Sequence, residues 1–96
     1  MEKDEILLCL RQYKGTKGKQ YKIIKMGLFG SAARDEMKKR SDIDIVVELG
    51  KADLFNLIGI KQELEEQLHR KVDIIRYSPG MNDFLKKRID KDAIYV

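Results

Sequence analysis

Ninety-six residues with a single cysteine, and with no apolar stretch near the ~20 residues of a membrane helix, exclude an internal disulfide framework, a helical membrane span and room for a second substrate domain; we expect one domain over residues 1–96. The opening residues, Met1 to Glu5, carry acids where a signal peptide carries bases, so the expected location is the cytoplasm. Charged residues make up 38% of the chain and the net charge is +4, which suits a polyphosphate or nucleic-acid ligand, although scattered lysines of this kind read first as solvated surface.

Residues 3 to 14 place Ile6, Cys9, Leu10 and Tyr13 on one helical face, with Asp4 and Glu5 in the first turn. Cys9 in this stripe reads as a small core residue rather than a nucleophile. The polar, glycine-containing stretch from Gly15 to Gln20 predicts a connector that ends the helix, and the apolar run from Tyr21 to Phe29 predicts a largely buried strand. Within that run Gly27 marks a close backbone approach. A short helix is expected from Ser31 to about Met37, and the chain returns through Lys38, Lys39, Arg40 and Ser41 to a second strand.

In that second strand Ile43, Ile45 and Val47 alternate with Asp42, Asp44, Val46 and Glu48, so the isoleucines face a core and the two aspartates share the other face. Leu54, Leu57, Ile58, Leu64 and Leu68 form the next helical stripe, from about Leu54 to His69, with Asp53 as N-cap and Gly59 an interior cost of about 1 kcal/mol. Val72 to Ile75 is a third strand whose Asp73 lies opposite Val72 and Ile74. The intervening helix predicts a right-handed parallel crossover between the second and third strands. Tyr77 to Gly80 reads as a turn and Asp83 to Asp90 as a last helix carrying Phe84, Leu85 and Ile89. The apolar tail Ala93 to Val96 either packs back on the domain or meets a partner.

The segment from Gly30 to Asp44 concentrates the chemistry: a Gly-Ser pair after one strand, ten residues, then two aspartates opening the next. Transfer of a nucleotidyl group requires the charge of a triphosphate to be neutralised while an acceptor oxygen lines up with the α-phosphorus, and divalent ions bridged by carboxylates do both. Asp42 and Asp44, about 7 Å apart at the backbone, suit a shared Mg²⁺ site. Asp73, the acid in the third strand, either holds the catalytic metal or helps to remove the acceptor's proton. Gly30 allows the backbone to approach a phosphate, and Ser31 offers a hydroxyl and an N–H to it. Ser31 has no histidine base, since His69 stands at the end of another helix and reads as surface, so covalent serine catalysis is not expected. Arg34, one turn beyond Ser31, is open to touching phosphate or pairing with an acid. Glu48 and the basic clusters Lys38 to Arg40, Arg70-Lys71 and Lys86 to Arg88 read as solvated.

These residues carry a family resemblance. Leu28 to Arg34 (LFGSAAR), Ser41 to Val47 (SDIDIVV) and Val72 to Ile75 (VDII) resemble the DNA polymerase β-like nucleotidyltransferase superfamily, and within it the minimal nucleotidyltransferases. The resemblance implies an α/β (α+β) nucleotidyltransferase fold: a small mixed sheet of three or more strands with helices packed mainly on one face. It also implies two Mg²⁺ ions held by Asp42, Asp44 and Asp73, and a nucleoside triphosphate contacted by Gly30 and Ser31. Relatives of this size resemble antitoxins paired with a helical HEPN ribonuclease toxin, which implies transfer of AMP from ATP to a tyrosine of that toxin. Asp35 departs from the pattern, since many relatives have glycine there. The competing functions are nucleotidyl transfer to a small molecule, neutralisation of a toxin by binding alone, and a basic nucleic-acid-binding module. The last lacks interleaved aromatics for base stacking.

Overall fold

A computed structural model describes residues 2–38, 41–51 and 53–96. Within them, β1 (Ile23–Phe29), β2 (Ile43–Leu49), β3 (Val72–Arg76) and β4 (Ile94–Tyr95) form one mixed sheet in the order β3-β2-β1-β4. β2 runs antiparallel to β1 and parallel to β3, as the helical crossover requires, and β4 runs antiparallel to β1 on its other side.

The period-two pattern of β2 decides what lies on each face. Ile43, Ile45 and Val47 are buried with Met26 and Leu28 beneath α1 (Lys3–Tyr21) and α3 (Leu54–Leu68), which contribute Ile6, Leu10, Tyr13, Ile60, Leu64 and Leu68. On the opposite face Val46 and Phe29 pack against Ile89 of α4 (Asp83–Asp92). Two helices thus cover one face and a single short helix crosses the other, which agrees with the expected α/β arrangement.

Three local expectations differ from the structure. α1 continues through Gly15 and Gly18 to Tyr21, where Lys22 ends it in the left-handed region (φ 54°). Each interior glycine costs about 1 kcal/mol, but tertiary contacts hold the extension: the Tyr13 and Tyr21 hydroxyls both donate to Glu63 Oε2 of α3, at 2.9 and 2.7 Å. The helix that follows β1, α2, spans only Gly30–Ala33, because Asp35 turns left-handed (φ 58°) and the Glu36 N–H closes back on the Ser31 carbonyl at 2.8 Å. In α3 the buried stripe is Ile60, Leu64 and Leu68, whereas Leu54 and Ile58 are 69% and 43% exposed. Leu54 lies in the first turn of α3.

The remaining elements follow their sequence signals. Asp53 caps α3 by accepting from the Phe55 and Asn56 N–H groups, and Asn82 caps α4 through the Leu85 N–H. Cys9 packs against the core and donates to Gln67 Oε1 at 3.4 Å. The tail Ala93 to Val96 packs back, forming β4. There the absent side chain of Gly27 makes room, since a Cβ would lie 2.9 Å from Tyr95 Cδ1 and 3.0 Å from the Ile94 carbonyl. Among the described residues no helix is long and apolar enough to cross a membrane.

Candidate active site

Strand register gathers the candidate residues at one end of the sheet. Phe29, the last residue of β1, pairs with Asp44, and Asp44 pairs in turn with Asp73 of β3. Asp42 stands two residues before Asp44, at the entry to β2, and the strand's alternation puts it on the same face. Asp42 and Asp73 are exposed and Asp44 is half-buried between its neighbouring strands.

Gly30 is required here on two counts. Its φ of 73° lies in the left-handed region, and a Cβ at this position would run into the Asp44 carboxylate, with Cγ 3.1 Å away. The backbone turning into α2 therefore sits directly against Asp44. Burial, and then the charges of Asp73 and Asp42, push the Asp44 carboxyl above the usual carboxylate range, while Arg34 and Arg88 draw it down. Asp44 thus feels both other carboxylates, and the three together are a donor set of hard oxygens suited to a divalent cation such as Mg²⁺. As they stand, no three acidic or imidazole side chains among the described residues already enclose an ion position. Asp42 and Asp73 are exposed, so their rotamers are free to bring the carboxylates together.

Of the two courses left open for Arg34, the structure shows the pairing with acids. Its Nε lies 3.2 Å from Glu36 Oε2 and its Nη1 2.9 Å from Asp92 Oδ2, so it is paired with acids, yet its charge also reaches Asp44. Asp35 accepts from Lys3 Nζ at 2.9 Å, and its backbone lies in the left-handed region (φ 58°) that favours glycine. Lys39 and Arg40 lie outside the described residues. Ser41, just before Asp42, is tied down because Arg70 donates to its carbonyl and, at 3.3 Å, to that of Lys38. Arg70, read as solvated, thus anchors the approach to the aspartates. His69 is the exposed left-handed cap of α3 (φ 54°).

Two residues near the site had no role in the sequence reading: Arg88 was read as solvated, and Asp92 lay past the expected end of the last helix. Arg88 and Asp92 belong to α4, and the only signal for them was their spacing from Ile89, the residue of that helix that is fully buried. A stripe defined by one apolar residue is weak until the helix is placed.

The sequence profile of the polymerase beta nucleotidyltransferase family matches residues 12–96. The chain belongs to this nucleotidyltransferase family. The nucleotidyltransferase is 38% identical over 93 residues to the Methanocaldococcus jannaschii protein MJ1217, which is named provisionally as a protein adenylyltransferase; the match covers 96% of this chain and 95% of the relative. A solved structure described provisionally as a minimal nucleotidyltransferase superposes with a TM-score of 0.79 at 27% identity, covering 98% of this chain and 95% of the other. A Shewanella oneidensis complex of a tri-AMPylated HEPN toxin with an MNT antitoxin matches with a TM-score of 0.61, over 97% of this chain and 66% of that one. Its identity is 21%, so this last likeness is one of fold.

Proposed function

We propose that this nucleotidyltransferase is the antitoxin of a toxin–antitoxin pair and transfers AMP from ATP to a tyrosine of a helical HEPN-domain ribonuclease toxin in the cytoplasm. The observation that carries the reading is the register that aligns Asp44 with Asp73 on one side and with Phe29, at the threshold of Gly30-Ser31, on the other. The name of the M. jannaschii relative and the antitoxin of the S. oneidensis complex support the choice of donor and acceptor.

In this reading Asp42 and Asp44 would hold Mg²⁺, two ions being expected for nucleotidyl transfer, with Asp73 beside them. Bound there, Mg²⁺ would neutralise triphosphate charge and make the acceptor hydroxyl more acidic. Gly30 lets the backbone reach a phosphate, Ser31 donates its hydroxyl and N–H to it, and Arg34 adds positive charge from beside the site. The tyrosine oxygen attacks the α-phosphorus while the bond to the bridging oxygen breaks, so diphosphate leaves with that electron pair. Asp73, exposed at the start of β3, accepts the tyrosine proton.

Incubating the protein with labelled ATP, Mg²⁺ and the product of the neighbouring gene is expected to label that product. Equal labelling by an Asp42→Ala, Asp44→Ala double variant would overturn the assignment. Growth rescue by the double variant at equal expression would assign neutralisation to binding instead.

A further inference from the structure

Ile89 is fully buried against Phe29 and Val46, which fixes the inward direction of α4. At about 100° per residue, Arg88 and Asp92 fall on one flank of Ile89, and Lys86 and Asp90 on the other. Contacts show where each flank looks. Asp90 accepts from the Tyr77 hydroxyl at 3.3 Å and Lys86 stands over the Tyr77 ring, both just past the C-terminal end of β3. Asp92 instead bonds Arg34, just past the C-terminal end of β1, where Asp44 and Gly30 meet. Arg88 therefore shares the flank that Asp92 turns toward Arg34 and the aspartate end of the sheet.

The two cations of this site differ in what they already hold. Arg34 is paired with both Glu36 and Asp92, whereas among the described residues no carboxylate lies within ion-pair distance of Arg88. A planar guanidinium with its donors free is suited to phosphate oxygens, which it can grip in pairs. We propose that Arg88 binds the β- and γ-phosphates of the nucleoside triphosphate from the α4 side, across from Gly30 and Ser31. Resting on the nucleotidyl-transfer reading of Asp42, Asp44 and Asp73, this assigns Arg88 to the leaving group. As the α-phosphorus bonds to the acceptor oxygen, the bridging oxygen takes the electron pair of the broken bond and diphosphate gains charge that Arg88 offsets. Release of diphosphate then frees Arg88, and AMP, which lacks these phosphates, does not engage it.

The test is an NMR titration of the full chain with Mg²⁺ and either a non-hydrolysable ATP analogue or AMP. Arg88→Gln is expected to weaken the analogue about tenfold, the scale of one charge-assisted contact, and to leave AMP within about twofold. Arg88→Lys is expected to fall between wild type and Arg88→Gln, and Lys87→Gln to match wild type. Unchanged analogue binding in Arg88→Gln, or an equal loss for analogue and AMP, would overturn the proposal. If Asp44→Asn weakens the Mg²⁺-dependent analogue while Arg88→Gln does not, the failure is confined to Arg88. If wild type binds neither nucleotide, the underlying reading fails along with it.

Discussion

Asp44 is held where its charge is unwelcome. Burial and two neighbouring carboxylates raise its pKa above the ordinary carboxyl value, so between the unfolded and folded pKa values the folded chain binds more protons than the unfolded one. Stability therefore falls as pH rises through that window, and above it the ionised carboxylate opposes folding. Asp44→Asn should then stabilise the chain at pH 7 while abolishing nucleotidyl transfer. Allowing for solvent screening, the gain is on the order of 0.5 kcal/mol, or about 2–4 °C in Tm for a domain of this size. Melting curves of both proteins without divalent cations check this, and the gap should close below about pH 3.5, where both states are protonated. A variant that melts no higher than wild type at pH 7 would count against the unfavourable ionisation. That Gly30 and Asp44 meet at the ends of adjacent strands was legible from the Gly-Ser and Asp-Ile-Asp spacing, but that no side chain fits between them was not, because only the paired strands set that separation.

At the scale of elements, α1 shows tertiary contacts overriding local propensity. Glycine weakens a helix interior, yet Tyr13, Lys17 and Tyr21 all converge on Glu63 and keep the last turns wound. A Cβ at Gly15 would meet nothing within 4 Å, and one at Gly18 only Lys14 Cγ at 3.8 Å. The double variant Gly15→Ala, Gly18→Ala should therefore gain about 1–2 kcal/mol, seen as a Tm rise of roughly 5–15 °C with the nucleotide-binding constants unchanged. A fall in Tm would mean that these glycines are needed for something other than helix geometry. Glu63 itself titrates below the usual range because the tyrosine hydroxyls favour its ionised form. Its contribution is present above the ordinary carboxyl pKa and is lost as pH falls through the lowered one. By contrast β2 was legible throughout, because a strict period of two leaves one choice of inward face.

For the molecule as a whole, the return of the tail to the sheet joins the end of the chain to the site. β4 pairs with Gly27 and Leu28 of β1, so α4 must end beside Phe29, which carries Asp92 to Arg34. Gly27→Ala forces a methyl group against the Ile94 carbonyl and the Tyr95 ring, at an expected cost of about 1–3 kcal/mol. Hydrogen exchange should then show faster exchange at the Val96 N–H, which bonds to the Met26 carbonyl in the intact sheet. Unchanged protection there would show that β4 tolerates the insertion. The sequence by itself determined the strand faces and the Gly-Ser to Asp-Ile-Asp spacing, because each depends on residues close in the chain or on a simple period. Only the tertiary structure decided that α1 survives its glycines, that Arg34 is paired with Asp92, and that Arg88 shares the flank of α4 that carries Asp92. Those outcomes depend on contacts between segments some 40 to 60 residues apart, and no local pattern records which flank of a helix will meet them.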